Sequence, residues 1–169
     1  MRILGFLLII GSSALLGINY SAEKKMRIND LNTFIYMLEL LGAELSNRLY
    51  PLPELFEKIS PKLIGASASF VKILNLNMSV LGEKNFETIW SESFFTCGPS
   101  LAEKESDEII SLGKVLGRYD LEVQLAAIEA CVVSLKESEK KASCEFPQLR
   151  QLSLGLSVSA GMLLAIFLA

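Results

Sequence analysis

The sequence predicts an all-α protein, a helical bundle flanked by N- and C-terminal transmembrane helices. Three observations support this fold class. Both ends of the 169-residue chain are nearly uncharged, since all 19 acidic side chains lie between Glu23 and Glu145. Apolar residues of the middle recur at three- and four-residue steps, the period of an amphipathic helix. Few β-branched residues alternate at period two, so we expect no sheet.

The N-terminal segment is predicted to be a transmembrane helix over residues 1–20. Residues 3–18 carry no charge and span about 24 Å as a helix, a little less than the hydrocarbon core of a bilayer. The alternative is a cleaved signal peptide with Arg2 as its basic region. No clear A-x-A motif precedes Ser21, however, and a cluster of cations follows at once. These two features favour a retained helix.

A second transmembrane helix is predicted over residues 150–169. Residues 152–169 are uncharged and span about 27 Å as a helix. The cations that flank the two segments all stand on the side of the middle, except Arg2: Lys24, Lys25, Arg27, Lys140, Lys141 and Arg150. By the positive-inside rule, residues 21–149 form a cytoplasmic α-helical domain and both termini lie outside.

The second predicted span carries a row of small residues at four-residue spacing. Its members are Ser153, Ser157, Gly161, Ala165 and Ala169. Small residues in one row let two helices approach closely in lipid, and they are also common in membrane helices that do not pair. Ser157 and Gly161 are therefore candidate positions for helix packing.

The first helix of the middle is predicted to end near Tyr50, and it can be continuous with the first span. A turn at residues 51–53 follows, because two prolines flank a leucine there. A short helix is then expected to begin at Glu54 and to end near Ser60. Ser60 and Pro61 have the residue types preferred at the N-cap and first position of the next helix.

Capping residues divide the next part of the chain. Asn85 is predicted to cap a helix that ends at Gly98, which precedes a proline. Ser100 and Glu103 have the spacing of a capping box, in which each side chain accepts a backbone N–H of the other residue. A further helix should therefore begin there.

The helix predicted to begin near Ser100 is followed by a turn. Of the turns that lie near a pair of apolar helices, this one is the most polar. Gly113 and Gly117 lie one helical turn apart and could mark a tight helix contact, while Gly117 equally suits the C-terminal stop of the helix. Arg118 and Asp120 stand beside them, and Asp120 can cap the last long helix. These four residues are candidate positions for an interface or for helix packing.

Composition and motifs indicate no catalytic, cofactor or metal site. The net charge of -3 gives no basic footprint for nucleic acid, and the chain has no histidine. None of the phosphate-binding, dinucleotide-binding, nucleophile-elbow or zinc-protease motifs is present. One acidic cluster is interpreted as a solvated helix face, because successive residues point around a helix. Its members are Glu103, Glu105, Asp107 and Glu108.

The cysteines and the tryptophan are interpreted as packing residues. Cys97, Cys131 and Cys144 are far apart in sequence and form no C-x-x-C pair, so we expect small hydrophobic side chains rather than a metal or redox site. Trp90 is expected to anchor the core rather than to bind a ligand.

Several features appear in a specific order along the chain. The cations that directly follow the first predicted span are succeeded by Leu38, Glu39, Glu44, the PLPE turn that begins at Pro51, and Trp90. The most specific stretch is LGKVLGRYD at residues 112–120, followed by Gln124. Together with the apolar C-terminal tail, these features resemble the stage III sporulation protein AB family, which has an L-G-x-x-L-G-x-x-D…Q pattern. Tyr119 and Leu121 depart from the more polar residues of the family beside Asp120.

The resemblance implies a mother-cell membrane component of the channel complex between mother cell and forespore. It implies a cytoplasmic helical fold similar to the platform protein of type II secretion and type IV pilus machines. The implied partners are the membrane, a secretion-type ATPase encoded in the same operon, and other membrane subunits of the sporulation channel. The implied role is assembly without catalysis, and the family brings no catalytic residues. Two alternatives stay open: a regulatory or scaffolding membrane protein unrelated to a secretion machine, and an extracytoplasmic enzyme exposed by signal cleavage.

Overall fold

The computed structural model describes the backbone of residues 2–47, 51–80 and 82–168, and the side chains within 22–47, 51–79 and 82–145. The described backbone contains six α-helices: α1 (Arg2–Asn47), α2 (Leu52–Ile59), α3 (Gly65–Asn77), α4 (Phe86–Cys97), α5 (Glu103–Leu112) and α6 (Leu121–Leu168). Short 3-10 turns follow α2 at Ser60–Lys62 and α3 at Met78–Val80. The predicted all-α class is confirmed.

The chain divides into two compact units. One comprises Arg27–Glu139 and is called the bundle below; the other comprises Met1–Met26 and Lys140–Ala169. Within the part of the chain whose side chains are described, no helix has the length and apolar character needed to cross a membrane. The side chains of the two predicted spans, residues 1–20 and 150–169, lie outside that part. Their prediction as transmembrane helices therefore stays a prediction.

The core of the bundle is built from the inward stripes of its helices. On α1, Leu31, Phe34, Leu38 and Leu41 are completely buried, and their three- and four-residue spacing places them on one face. The other helices each add two or more buried apolar side chains to the same cluster: Leu55, Phe56, Ile59, Phe70, Val71, Leu74, Ile89, Trp90, Phe94, Ile109, Leu112, Ile128, Val132 and Leu135. The buried residues of α1 thus recur with the same helical period that predicted the helices.

Trp90 lies at the centre of an aromatic cluster. Its ring packs edge-on against Phe70 at a centroid distance of 4.8 Å, with Phe56 and Phe86 at 5.9 and 5.8 Å. The indole is completely buried, and its Nε1–H donates to the Ile109 carbonyl at 2.8 Å. A buried indole needs such an acceptor, so Trp90 joins α4 to α5 as a core residue. The interpretation of Trp90 as a core anchor is confirmed.

The ends of α4 are formed as predicted. The Asn85 side chain accepts the Thr88 N–H at 2.8 Å, which satisfies one of the amides left free in the first turn of a helix. At the other end Gly98 adopts the left-handed conformation with φ of 58°, and its N–H donates to the Phe94 carbonyl. Both ends depend on contacts within four residues along the chain.

The prediction that Ser60 and Pro61 begin a helix is wrong. Ser60 already has helical backbone angles, and the chain continues from α2 through a 3-10 turn. The break comes later, at Leu63 and Ile64, whose backbone is extended, and α3 begins at Gly65 with φ of 64°. Proline suits the first turn of a 3-10 segment as well as that of an α-helix, so residue type alone did not separate the two.

The predicted capping box of Ser100 and Glu103 is also wrong. The N-cap of α5 is Ala102, whose N–H donates to the carboxylate of Glu105 at 2.8 Å. Since alanine has no side-chain acceptor, only this half of a capping box is formed. The Ser100 N–H instead donates to Asp30 on α1 at 2.8 Å, which fixes the loop before α5 against the first helix.

Candidate functional site

The turn between α5 and α6 contains four of the six candidate residues named from the sequence. Helix α5 ends at Leu112, earlier than the predicted stop at Gly117, and Gly113 is its C-cap. Residues 113–118 then form tight turns, in which the N–H groups of Gly113, Lys114 and Val115 each donate to the carbonyl three residues back. This compact segment leads directly into α6.

Gly113 is packed against the indole of Trp90. A β-carbon built on Gly113 would lie 2.5 Å from Cδ1 of Trp90, a distance that side chains do not tolerate. Because Gly113 has no side chain, the end of α5 can pack against Trp90 on α4. The Nε1–H of the same ring donates to the Ile109 carbonyl. Gly113 is thus a packing residue inside the bundle.

Gly117 has a backbone requirement for glycine. Its φ of 74° lies in the left-handed region, where a β-carbon is unfavourable. A β-carbon there would also approach Cδ1 of Leu52 to 2.7 Å. The Gly117 N–H donates to the Gln124 side chain at 3.1 Å, and the Gln124 amide donates to the Tyr119 carbonyl at 2.6 Å. Gln124 therefore bridges both ends of the turn, a role that sequence reasoning did not assign to it.

The surface of the turn is formed by Arg118, Tyr119 and Asp120, all exposed. Arg118 lies 3.9 Å from the Glu87 carboxylate on α4, at the limit of an ion pair. Asp120 directly precedes α6, and its carbonyl accepts the Gln124 N–H at 3.1 Å. Its carboxylate makes no hydrogen bond to any of the described residues, so the predicted side-chain cap is not formed. The exposed cation, phenol and carboxylate are available to a partner, and an interface role for them stays a prediction.

The remaining two candidates, Ser157 and Gly161, lie in α6 beyond the residues whose side chains are described. Their predicted role in helix packing stays a prediction. A small cavity of about 160 Å³ lies beside the turn, between its residues and the start of α4, and is lined in part by Phe86, Lys114 and Arg118.

The acidic cluster of α5 is not a uniformly solvated face, which corrects the sequence interpretation. Glu105 is only 1% exposed. Its carboxylate accepts from both Nε and Nη2 of Arg27, at 3.2 and 2.5 Å, in addition to the Ala102 N–H. Arg27 lies 78 residues away on α1, so the pair joins two distant parts of the chain. No periodicity within α5 could have identified this partner.

The three cysteines are free and differ in environment. Cys131 is buried, Cys97 is half-buried and Cys144 is exposed, so packing explains two of the three. Burial raises the pKa of the Cys131 thiol to about 12, with the Glu108 carboxylate adding to the effect. Burial, followed by the charge of Asp30, also raises the pKa of Cys97. Among the described side chains there is no group of three or more potential metal ligands.

Comparison with known proteins decides the family. The family described as stage III sporulation protein AB matches residues 2–169. The chain belongs to the stage III sporulation protein AB family. The resemblance seen in the sequence is therefore confirmed over almost the whole chain, and a role in sporulation follows from membership.

A solved structure supports the fold of this stage III sporulation protein AB family member. A chain described as "Stage III sporulation protein AB (SpoIIIAB)" is similar at a TM-score of 0.65 and 21% identity, covering 72% of this chain and 97% of that chain. At this identity the likeness establishes the fold and carries no residue roles. No curated protein sequence matches the chain.

Proposed function

We propose that this protein is a non-catalytic platform subunit of the sporulation channel complex between mother cell and forespore. Its two end segments cross the mother-cell membrane, and the bundle lies in the cytoplasm, where it docks a secretion-type ATPase and other channel subunits. One observation supports this arrangement most directly. Helices α1 and α6 are 46 and 48 residues long, and each continues from the charged bundle into an uncharged segment.

Charge distribution supports the orientation. Lys24 and Lys25 stand at the bundle side of the first segment, and Arg150 stands at the bundle side of the second. Cations flanking a span remain preferentially on the cytoplasmic side. Two segments that agree in this asymmetry support a cytoplasmic bundle more strongly than either would alone.

The buried carboxylates of the bundle have structural partners within the chain. Asp30 and Glu105 are the buried carboxylates of the described chain, and both hold backbone N–H groups at the loop before α5. Glu105 also pairs with Arg27. These carboxylates stabilise the bundle, so their burial does not indicate an acid or base poised for a reaction.

The topology can be tested by labelling Cys144 with a membrane-impermeant maleimide. The raised pKa values of Cys97 and Cys131 suppress their thiolates, so the exposed Cys144 is the reporter. Cys144 should stay unlabelled in intact cells and react after permeabilisation, and Cys144→Ser should abolish the signal. Labelling of Cys144 in intact cells would overturn the proposed orientation.

Docking can be tested with the full chain in detergent as bait for the ATPase encoded beside it. The double variant Arg118→Glu/Asp120→Lys exchanges the charges of the exposed turn and should reduce capture of the ATPase. The matched control, Lys84→Glu/Glu92→Lys, exchanges an exposed ion pair that joins the loop before α4 to α4 at 2.7 Å, and it should capture the ATPase normally. No capture by the native chain would refute ATPase docking. Equal capture by the native chain and both variants would show that the turn is not part of the interface.

A further inference from the structure

Helix α6 has a second apolar face that the bundle does not cover. Its inward face contributes Ile128, Val132 and Leu135 to the core. A different stripe consists of Val123, Ala126, Ala130 and Val133, with spacings of three, four and three residues. All four residues are exposed, and the two valines are 48% and 53% exposed. The stripe therefore has the helical period of a buried face without being buried.

A groove lies beside this stripe, between α5 and α6. Its volume is about 370 Å³, and it is lined by Leu112 and Val115 on one side and by Ala127, Ala130 and Cys131 on the other. The α6 residues are small, so an approaching side chain can enter between the helices. A continuous exposed apolar strip with an adjoining groove is a typical docking surface for a helix.

The edges of the stripe are acidic. Glu108 lines the groove on the α5 side, where one carboxylate oxygen accepts from the Ser134 hydroxyl at 2.8 Å. Its other oxygen is buried and has no hydrogen-bond partner in the described structure. On the opposite edge of the stripe, Glu122 and Glu129 are exposed. Helical geometry places both next to the stripe, within about a quarter turn of its outermost residue, Val133.

This part of the chain has a net negative charge. Residues 103–139 contain nine acidic and four basic side chains. Three of the four cations are within ion-pair distance of an acid: Lys104 with Glu108, Arg118 with Glu87 and Lys136 with Glu39. An acidic rim on both sides of an apolar strip complements a helix with an apolar seam and basic flanks.

We propose that the groove and stripe formed by α5 and α6 bind a basic amphipathic helix of a partner protein. Its apolar side chains would enter the groove beside Ala130, and its flanking Lys or Arg side chains would pair with Glu108, Glu122 and Glu129. This inference is independent of the proposed membrane topology and of docking by the exposed turn. It identifies a second surface of the bundle and the chemistry of its partner.

The test uses the full chain in non-ionic detergent, with Ala126 replaced by the photoreactive residue p-benzoylphenylalanine. Three fluorescent helical peptides serve as probes: a Leu/Ala/Lys peptide with its leucines on one face, the same composition scrambled, and a Leu/Ala/Glu counterpart. Adduct formation at position 126 reports proximity to the stripe, so binding of a peptide to detergent does not contribute. The basic amphipathic peptide should give about tenfold more adduct than either other peptide, as 1.4 kcal/mol of preference would produce.

Charge reversal separates this surface from general attraction to an acidic protein. Glu122→Lys/Glu129→Lys should reduce the adduct to the level of the scrambled peptide, whereas Glu54→Lys/Glu57→Lys on α2 should leave it unchanged. Fluorescence of Trp90 establishes that each variant is folded. Equal adduct with all three peptides, or an adduct insensitive to the α6 reversal, would overturn the proposal. Adducts between two copies of the chain without peptide would overturn it in favour of self-association.

Discussion

Glu105 illustrates how one residue can connect separate parts of the bundle. Its carboxylate accepts from Arg27 on α1 and from the Ala102 N–H at the start of its own helix. Buried ionised groups are tolerated when they are paired and hydrogen-bonded, and Glu105 meets both conditions. Asp30 acts similarly by accepting the Ser100 N–H, so two carboxylates hold the loop before α5.

Gly113 provides a sharp test at the scale of a single residue. Gly113→Ala places a β-carbon 2.5 Å from Trp90 Cδ1, and the buried indole cannot move without disturbing its hydrogen bond and its aromatic neighbours. We expect destabilisation by about 1–3 kcal/mol, the usual cost of overpacking a core. This loss of stability can be measured by urea unfolding of the full chain in detergent, with the fluorescence of Trp90 as the signal.

Gly42 is the matched control for this substitution. It lies inside α1, and a β-carbon there would lie 3.4 Å from the end of the Ile128 side chain. Alanine is favoured over glycine in a helix by up to about 1 kcal/mol, so Gly42→Ala should be neutral or stabilising. If Gly113→Ala were equally harmless, the contact with Trp90 would not be the reason for glycine at position 113.

At the scale of an element, the turn between α5 and α6 depends on Gln124. Gln124→Ala removes the acceptor for the Gly117 N–H and the donor to the Tyr119 carbonyl. We expect a loss of about 1–2 kcal/mol in the free energy of unfolding, because each exposed hydrogen bond contributes modestly. Asp120→Ala should cost less than Gln124→Ala, since the Asp120 carboxylate makes no hydrogen bond within the described chain. The reverse order in urea unfolding would restore Asp120 as the capping residue.

The contact between α1 and the end of α2 should depend on pH. The Glu44 carboxylate accepts from Lys58 Nζ at 2.5 Å and from Lys62 Nζ at 3.2 Å. These hydrogen bonds, with the charges of both lysines, lower the pKa of Glu44 below its ordinary value of 4.5. A lowered folded-state pKa stabilises the protein above the unfolded value, and this contribution is lost as pH falls through the folded value.

Glu44→Gln should therefore destabilise the protein at neutral pH, with a difference from the native chain that shrinks below pH 4.5. Urea midpoints measured from pH 7 to pH 3 would reveal this convergence. In a Lys58→Ala/Lys62→Ala background the substitution should have little effect at either end of the range, because the partners are absent. A difference between the native chain and the Glu44→Gln variant that stays constant with pH would contradict the assignment.

At the scale of the whole molecule, local contacts were predictable from the sequence and distant ones were not. The Asn85 cap and the Gly98 stop of α4 involve neighbours within four residues, so residue type and order were sufficient. The helical period of the apolar residues is likewise a local signal, and it predicted the all-α class. The Glu105 partner is 78 residues away, and nothing within α5 indicates whether that carboxylate faces Arg27 or solvent.

The candidate site was predictable only in part for the same reason. Gly117 was expected where the chain leaves a helix, and it has the left-handed backbone that glycine adopts most easily, a local preference. The predicted helix end was misplaced: α5 ends at Leu112, and its C-cap Gly113 packs against Trp90 on α4, a contact that residue type alone does not indicate. Gln124 belonged to the pattern shared with the family, but its role as a bridge depends on the folded shape of the turn.

The predicted spans provide a test of how the whole molecule assembles in a bilayer. Gly161 lies in the row of small residues, where a leucine would hold a facing helix away. Gly161→Leu should therefore weaken association of the C-terminal span in a two-hybrid assay for helices in membranes. Insertion should be retained, since leucine is more favourable than glycine in the bilayer core. Gly155→Leu is the matched control, because Gly155 lies about 120° around the helix from Gly161. Loss of association with Gly161→Leu alone would assign the packing face to this row, whereas an equal effect of both, or of neither, would show that the row does not define one.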